Sequence, residues 1–477
     1  MTRMLKEAFT QLRRGDFELE ALLPAAQVQA ACEAAGYQDR GAVYTSPTIM
    51  TTFLSQMLRA DRSCQQAVAA VAAHRTAHGR SPCSADTGGY CKARQRIPET
   101  VYTTLMQQSA ERLEARATVE ALWNGRRVRV VDGSTLLLAD TPANRSEYPL
   151  QEGLTPGCHY PVVRILVVFS LMVGVVMRAT LRAYQGKGTG ETSMLRDLSD
   201  CFARGDVLLG DRYFAGFWDL AWWVRRGVDV VTRLPASRFA DFRRGRRLGK
   251  NDHLITWRRT PRPDWLTPEE AAGFPQTLTL REVRVQVEIR GFRTKEVTVI
   301  TTLLDNELFP AHEITELYRR RWQAELNLRS LKTHMEMDYL RTKRPETVRK
   351  EFAMHLLAYN LVRGVAFEAA QTAGVEPWTI SFKGTLQTTH EFLARFHHAA
   401  SLNQWVDDWL ARKQANPEGV DAGFSRPRPA RSVAGPRRRK PECISVGLFL
   451  RHRFQTFWGW AFRRTGASGL RRQRILR

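Results

Sequence analysis

Four residues near position 325 have the types and spacing for phosphate chemistry: Tyr318, Arg321, Glu325 and Lys332. A helix turns about 100° per residue, so these spacings bring all four within roughly 60° of one another around the axis. A phenol, a guanidinium, a carboxylate and an ammonium then share one stripe. Arg321 and Glu325, four apart, also suit an ordinary ion pair on a solvated face. Tyr318 and the neighbouring Trp322 favour a contact surface, because large aromatics fit one better than open water.

A single acid does not transfer phosphoryl groups. Two-metal chemistry needs several carboxylates converging on cations about 4 Å apart, and hard oxygen ligands suit Mg²⁺ or Mn²⁺. Asp132 ends the apolar run VRVV and precedes Gly133, while Asp211 follows DVLLG and precedes a helical segment. The carboxyl ends of sheet strands are where α/β folds place ligands. Strand-end aspartates also cap turns and helices, so weight falls on their combination with Glu325.

The elements around these residues follow from texture. Residues 1–122 read as a helical region, with segments such as SPTIMTTFLSQML and ETVYTTLMQQSAERLEAR. Between helices, SPCSADTGGYCKARQRIP reads as a loop carrying Lys92, Arg94 and Arg96, candidate phosphate contacts. From 123 to 235 the chain turns to strands and strand–helix alternation. RRVRVVDGSTLLLAD reads as strand, tight turn and strand, the turn at Asp132-Gly133. This implies an α/β core with a mixed sheet. Residues 236–302 alternate apolar and polar, as a β-rich insertion does, and 303–400 return to long helices, one bearing Glu325.

The charge points to the partner. Lys and Arg number 72 against 48 Asp and Glu, a formal net of +24. So basic a chain suits a polyanion, nucleic acid above all. Residues 411–477 alone hold 17 Lys and Arg against three acids; their Pro-, Gly- and Arg-rich part reads as a disordered linker within the basic region 401–477. Seven scattered cysteines suggest no disulfide framework. The N-terminus lacks the apolar stretch of a signal peptide, and no apolar run is long enough to span a bilayer. A cytoplasmic, nucleoid-associated protein is expected.

Three blocks resemble those of bacterial insertion-sequence transposases of family four: DGST (132–135), LLGDRYF (208–214) and YRRRWQAELNLRSLK (318–332). The last keeps every interval of that family's Tyr-Arg-Glu-Lys signature. The resemblance runs from about Arg126 to Arg363 and implies a ribonuclease H-like catalytic core interrupted by a β-rich insertion. It implies Asp132, Asp211 and Glu325 as catalytic ligands of two Mg²⁺ or Mn²⁺ ions. Tyr318, Arg321 and Lys332 would hold the phosphates of a transposon end, and Trp257 of the insertion is a candidate to stack on a flipped base. The implied partners are double-stranded DNA, as terminal inverted repeats and target, and a second copy of the chain. A non-transposing nuclease of the same fold, or an inactive DNA-binding remnant, are the alternatives.

Other groupings are weaker. His74, His78, Cys83 and Cys91 lack the spacing of common zinc fingers. Residues 186–190, GKGTG, lack the frame of a nucleotide loop and read as a turn beside the active site. The pairs Trp222–Trp223 and Trp458/Trp460 read as core or interface.

Overall fold

The computed structural model describes residues 23–41, 43–151, 153, 157–286 and 296–395. The basic tail, with Trp458 and Trp460, lies outside the described residues. Two compact units divide the chain: Met1–Val283 with Thr298–Asp408, and Arg284–Val297 with Trp409–Arg477. In the second, Gln286 Nε2 donates to Glu296 Oε1 at 2.7 Å.

The described chain opens with helices α1 (Ala25–Ala34), α2 (Ser46–Leu58), α3 (Cys64–Ala77), α4 (Gly88–Arg96) and α5 (Glu99–Ala115). In α2, Ile49, Met50, Phe53, Leu54 and Met57 recur at helical spacing and all are buried. Ser63 caps α3, its side chain accepting from Gln66 N at 3.1 Å. The segment expected as a loop is helical over α4. Its Tyr90 and Ala93 are fully buried, and that burial outweighs two glycines of poor helix propensity.

The sheet explains where the acids stand. Strand β1 (Val128–Leu138) pairs antiparallel with β2 (Val162–Ser170), and β2 with β3 (Val176–Ala183). On its other side β1 pairs parallel with β4 (Val207–Leu209), and β4 with β5 (Asp229–Arg233). Every residue from Val163 to Phe169 except Arg164 is fully buried, as a central strand covered on both faces requires. Strands β6 (Arg246–Gly249), β7 (Asp252–Arg258), β8 (Thr277–Gln286) and β9 (Glu296–Thr301) extend the same sheet, in the order β3-β2-β1-β4-β5-β9-β8-β7-β6. A short β10 (Tyr339–Leu340) pairs parallel with the end of β1. The mixed sheet agrees with the sequence reading.

The turn expected at Asp132-Gly133 is absent. β1 runs straight through, with Asp132 opposite Val167 and Gly133 opposite Leu166. Glycine serves close approach instead: a Cβ on Gly133 would stand 2.5 Å from Glu191 Oε1.

The remaining helices are α6 (Pro142–Glu147), α7 (Glu191–Asp197), α8 (Phe217–Arg225), α9 (Pro268–Ala272), α10 (Ala311–Arg320), α11 (Trp322–Arg329), α12 (Pro345–Ala373) and α13 (Phe382–Arg395). Trp223 is buried and Trp222 packs against the same core. Helix α12 is buried along its middle and ends at Gly374 in the left-handed conformation. None of the helices among the described residues is long and apolar enough to cross a membrane.

Asn360, fully buried on α12, joins three elements. Its Oδ1 accepts from Val176 N at 2.7 Å, and its Nδ2 donates to Val176 O at 3.0 Å and Ser109 Oγ at 3.3 Å. Replacing it strands the start of β3 with unpaired backbone groups. Asn360→Ala should cost about 2–4 kcal/mol; an unchanged urea midpoint would contradict this role.

Candidate active site

Register brings three side chains to one level of the sheet. Val130, Leu209 and Val231 are aligned across β1, β4 and β5. Two residues beyond each stand Asp132, Asp211 and Arg233. Adjacent strands lie about 4.8 Å apart, so this row forms a short charged ledge at the ends of β4 and β5. Asp132 Oδ1 accepts from Gly133 N at 3.0 Å. Asp211 caps the turn 212–214, accepting from Tyr213 N at 2.7 Å, and its carbonyl accepts from the Thr232 hydroxyl.

The block 311–334 supplies the other groups, but not as one straight helix. α10 and α11 meet at Arg321, where three-residue hydrogen bonds replace the four-residue ladder. Ser330–His334 then form a π-helical turn. The wider turn changes the phase of Lys332 relative to an α-helix. Its Nζ donates to Ser134 Oγ at 3.1 Å and Thr135 O at 2.9 Å, so it docks on β1 two and three residues past Asp132. Arg321 Nη2 donates to Glu325 Oε1 at 2.7 Å.

Electrostatics tie the two blocks together. Burial pushes the Asp132 carboxyl up to about 7; Arg321 opposes this, while the negative charges of Glu325 and Asp211 add to it. Burial also raises the Tyr318 hydroxyl, against the pull of Arg321 and Arg233, so it remains a phenol donor. Burial lowers the Lys332 ammonium, and Asp338 works the other way. Asp132, Asp211, Glu325, Tyr318 and Arg321 therefore share one field. As the side chains stand, no three acidic, histidine or cysteine groups among the described residues are gathered tightly enough to hold a metal ion. Glu325 is turned onto Arg321.

The structure separates the remaining candidates from this site. Trp257 is 4% exposed within the apolar core, and the Arg238 guanidinium covers its ring at 3.7 Å. Its packing leaves no face for a base, which corrects the stacking role. Arg94 is also corrected: it lies over Phe53 at 4.4 Å and donates to Gln56 Oε1 at 3.3 Å, inside the helical region. On α4, alternate residues point to opposite sides. Lys92 and Arg96, four apart, are the exposed pair.

Sequence reasoning missed Arg233, Glu191 and the basic hairpin between Asp241 and Lys250. Arg233 ends a strand two residues past an apolar pair, the same signal that marked Asp211. Glu191, paired with Arg164 at 3.5 Å, opens α7 directly after the GKGTG turn. Nothing in its local sequence announces the approach to Gly133.

Comparison with known proteins gives the family. Residues 123–361 match the family model described as the transposase DDE domain. The match covers half the chain, and the chain belongs to that family of DDE transposases. It is similar to the transposase InsG for insertion sequence element IS4 of Escherichia coli (strain K12), at 28% identity over 294 residues. That alignment covers 61% of this chain and 64% of the relative, somewhat under two thirds of its length. A second relative is the putative transposase InsL for insertion sequence element IS186A of the same organism, 33% identical over 99 residues, which are 20% of this chain and 26% of that one. A cryo-EM structure of a piggyBac transposase synaptic complex with hairpin DNA aligns over 82% of this chain and 83% of its own. Its identity is 11% and its TM-score 0.39, too low to inform the fold. The resemblance of the chain to insertion-sequence transposases of family four thus holds.

The raised Asp132 carboxyl has a consequence for stability. The folded protein keeps this proton to higher pH than the unfolded chain, so stability without divalent cations falls as pH rises from about 4 through about 7. Asp132→Asn removes that loss. At pH 8 without divalent cations the variant should be more stable by on the order of 3 kcal/mol, and near pH 4 the difference should vanish. Equal melting temperatures at pH 8 would show that Asp132 is not held in this field.

Proposed function

We propose that the protein is a transposase that cleaves DNA at the ends of an insertion sequence and joins the freed 3′ ends to target DNA. The carrying observation is that Val130 pairs with Leu209, each two residues before an acid, and that the charges of Asp211 and Glu325 both act on Asp132, in a chain of the DDE family. The order β3-β2-β1-β4-β5, antiparallel on one side of β1 and parallel on the other, supports a ribonuclease H-like core.

The donor set fits hard divalent cations: three carboxylates, one of them half-buried and acted on by like charges that a cation would relieve. Asp132, Asp211 and Glu325 would hold Mg²⁺ or Mn²⁺, two ions on this reading, which would polarise the attacking and leaving oxygens of an in-line displacement. The other side chains manage the DNA. Arg321 spends one bond on Glu325 and has further N–H donors for a phosphate. The Tyr318 phenol donates, and Lys332 has a third N–H beyond those given to β1. This arrangement would orient the scissile phosphate over the aspartates. A homodimer would pair the two ends, since both must be joined together.

A second surface supports DNA as the partner. Arg243, Arg244, Arg246, Arg247 and Lys250 are exposed on the hairpin into β6, with Asp241 pairing the first two. Phe239 is 91% exposed between Arg238, pinned on Trp257, and the buried Ala240. It presents the stacking face that Trp257 cannot.

Purified protein with Mg²⁺ should nick and join duplexes carrying the inverted repeats that flank its gene. Asp132→Ala, Asp211→Ala and Glu325→Ala should each lower both activities by at least about a thousandfold while binding persists. Cleavage without joining would favour the nuclease, and activity surviving Glu325→Ala would sink the catalytic reading. For the hairpin, changing Arg243, Arg244, Arg246 and Arg247 to Gln should reduce the slope of log affinity against log salt by about three. An unchanged slope removes this surface from the DNA path.

A further inference from the structure

The π-turn that carries Lys332 ends in an unusual way. Glu336 has φ +48°, a left-handed conformation that a side-chain-bearing residue seldom adopts without support. Around it the chain reverses: Met335 N donates to Ser330 O at 3.0 Å and Met337 N to Leu331 O at 3.1 Å. The reversal then feeds β10, where Leu137 N donates to Asp338 O at 2.9 Å. Lys332 sits inside the loop so closed. The position of its amine on Ser134 and Thr135 therefore depends on Glu336 holding that backbone angle.

The support comes from the N-terminal helical region. Arg62, in the turn between α2 and α3, has a side chain only 5% exposed. Its Nη1 donates to Glu336 O at 3.1 Å, and its Nη2 stands 3.6 Å from Glu336 Oε2. One guanidinium thus holds both the carbonyl and the carboxylate of the left-handed residue. Arg341 Nη2 approaches the same carboxylate only at 4.0 Å. Arg62 is itself anchored. Gln56 Nε2 donates to Arg62 O at 2.7 Å, and Gln56 Oε1 accepts from Tyr90 at 2.8 Å and Arg94 at 3.3 Å, both on α4. A buried polar chain therefore runs from the helix bearing the exposed Lys92 and Arg96 to the turn that sets Lys332.

We propose that Arg62 is a positioning residue for Lys332: by clamping Glu336 in its left-handed conformation it closes the π-turn, and through Gln56 it ties that turn to α4. The functional value of this contact rests on the reading of Lys332 as a phosphate-holding residue; the contact itself does not.

Glycine adopts the angle of Glu336 without penalty, and this makes the clamp testable. The probe is acetylation of Lys332 by an N-hydroxysuccinimide ester in the full chain without DNA, read by peptide mass spectrometry against Lys187 and Lys250. Backbone hydrogen exchange over residues 330–338 accompanies it. Arg62→Ala should raise Lys332 acetylation by at least about threefold and speed exchange across the turn, with α12 unchanged. The double variant Arg62→Ala/Glu336→Gly should return both within about twofold of Glu336→Gly alone. A merely structural loss at Arg62 would not be cured by glycine 274 residues away. If Arg62→Ala fails to fold but the double variant folds, the clamp is supported. Failure of both to fold, wild-type labelling in Arg62→Ala, or no rescue by glycine would overturn it. In a parallel arm, Mn²⁺-dependent nicking of a supercoiled plasmid should fall in Arg62→Ala and recover in the double variant. Absence of nicking by the wild type would count against the transposase reading, while the labelling still decides the clamp.

Discussion

One guanidinium lets this site exist. Asp132, Asp211 and Glu325 are carboxylates brought into a shared field partly withdrawn from water, where like charges repel far more than in solution. Arg321 sits among them, bonded to Glu325 and lowering the cost of charge at Asp132. It stands at the junction of α10 and α11. The bond from Arg321 holds Glu325 turned onto the guanidinium.

The rest of the fold serves that balance. Parallel pairing of β1, β4 and β5 aligns Asp132, Asp211 and Arg233, because parallel register repeats the same offset on each strand. The packed middle of α12 holds β3 and α5 in place through Asn360. Between β7 and β8, buried charge does the fixing: Arg281 is bidentate to Asp252 and also donates to Phe309 O at 2.6 Å. Such a pair adds little net stability against an apolar substitute, but removing one partner is costly, so it favours one register for β7 on β8. With that register set, the basic hairpin before β7 and Phe239 face outward.

Much of the site could be read in the chain because it depends on local periodicity. The Tyr318–Lys332 block has a helical spacing, and the apolar runs before Asp132 and Asp211 announce the strands that carry or precede those acids. The mixed sheet followed from the same runs. The reading failed where one period was mistaken for another. Asp132-Gly133 looked like a turn, yet pairing with Leu166 and Val167 outweighed the preference of the dipeptide. The segment 88–96 looked like a loop, yet burial of Tyr90 made it a helix and turned Arg94 inward.

The sequence by itself determined the chemical types, their order and their spacing: three acids, a Tyr-Arg-Lys trio and an excess of basic charge. Those are properties of the covalent chain and need no partner in space. Only the tertiary structure decided which side chains meet. It buried Trp257 under Arg238, exposed Phe239 two residues from Asp241, added Arg233 to the row of strand ends, and brought Arg62 across 274 positions to the turn behind Lys332. Contacts of that kind depend on how helices and strands pack, and packing energy is summed over many distant residues. No window of the chain contains it.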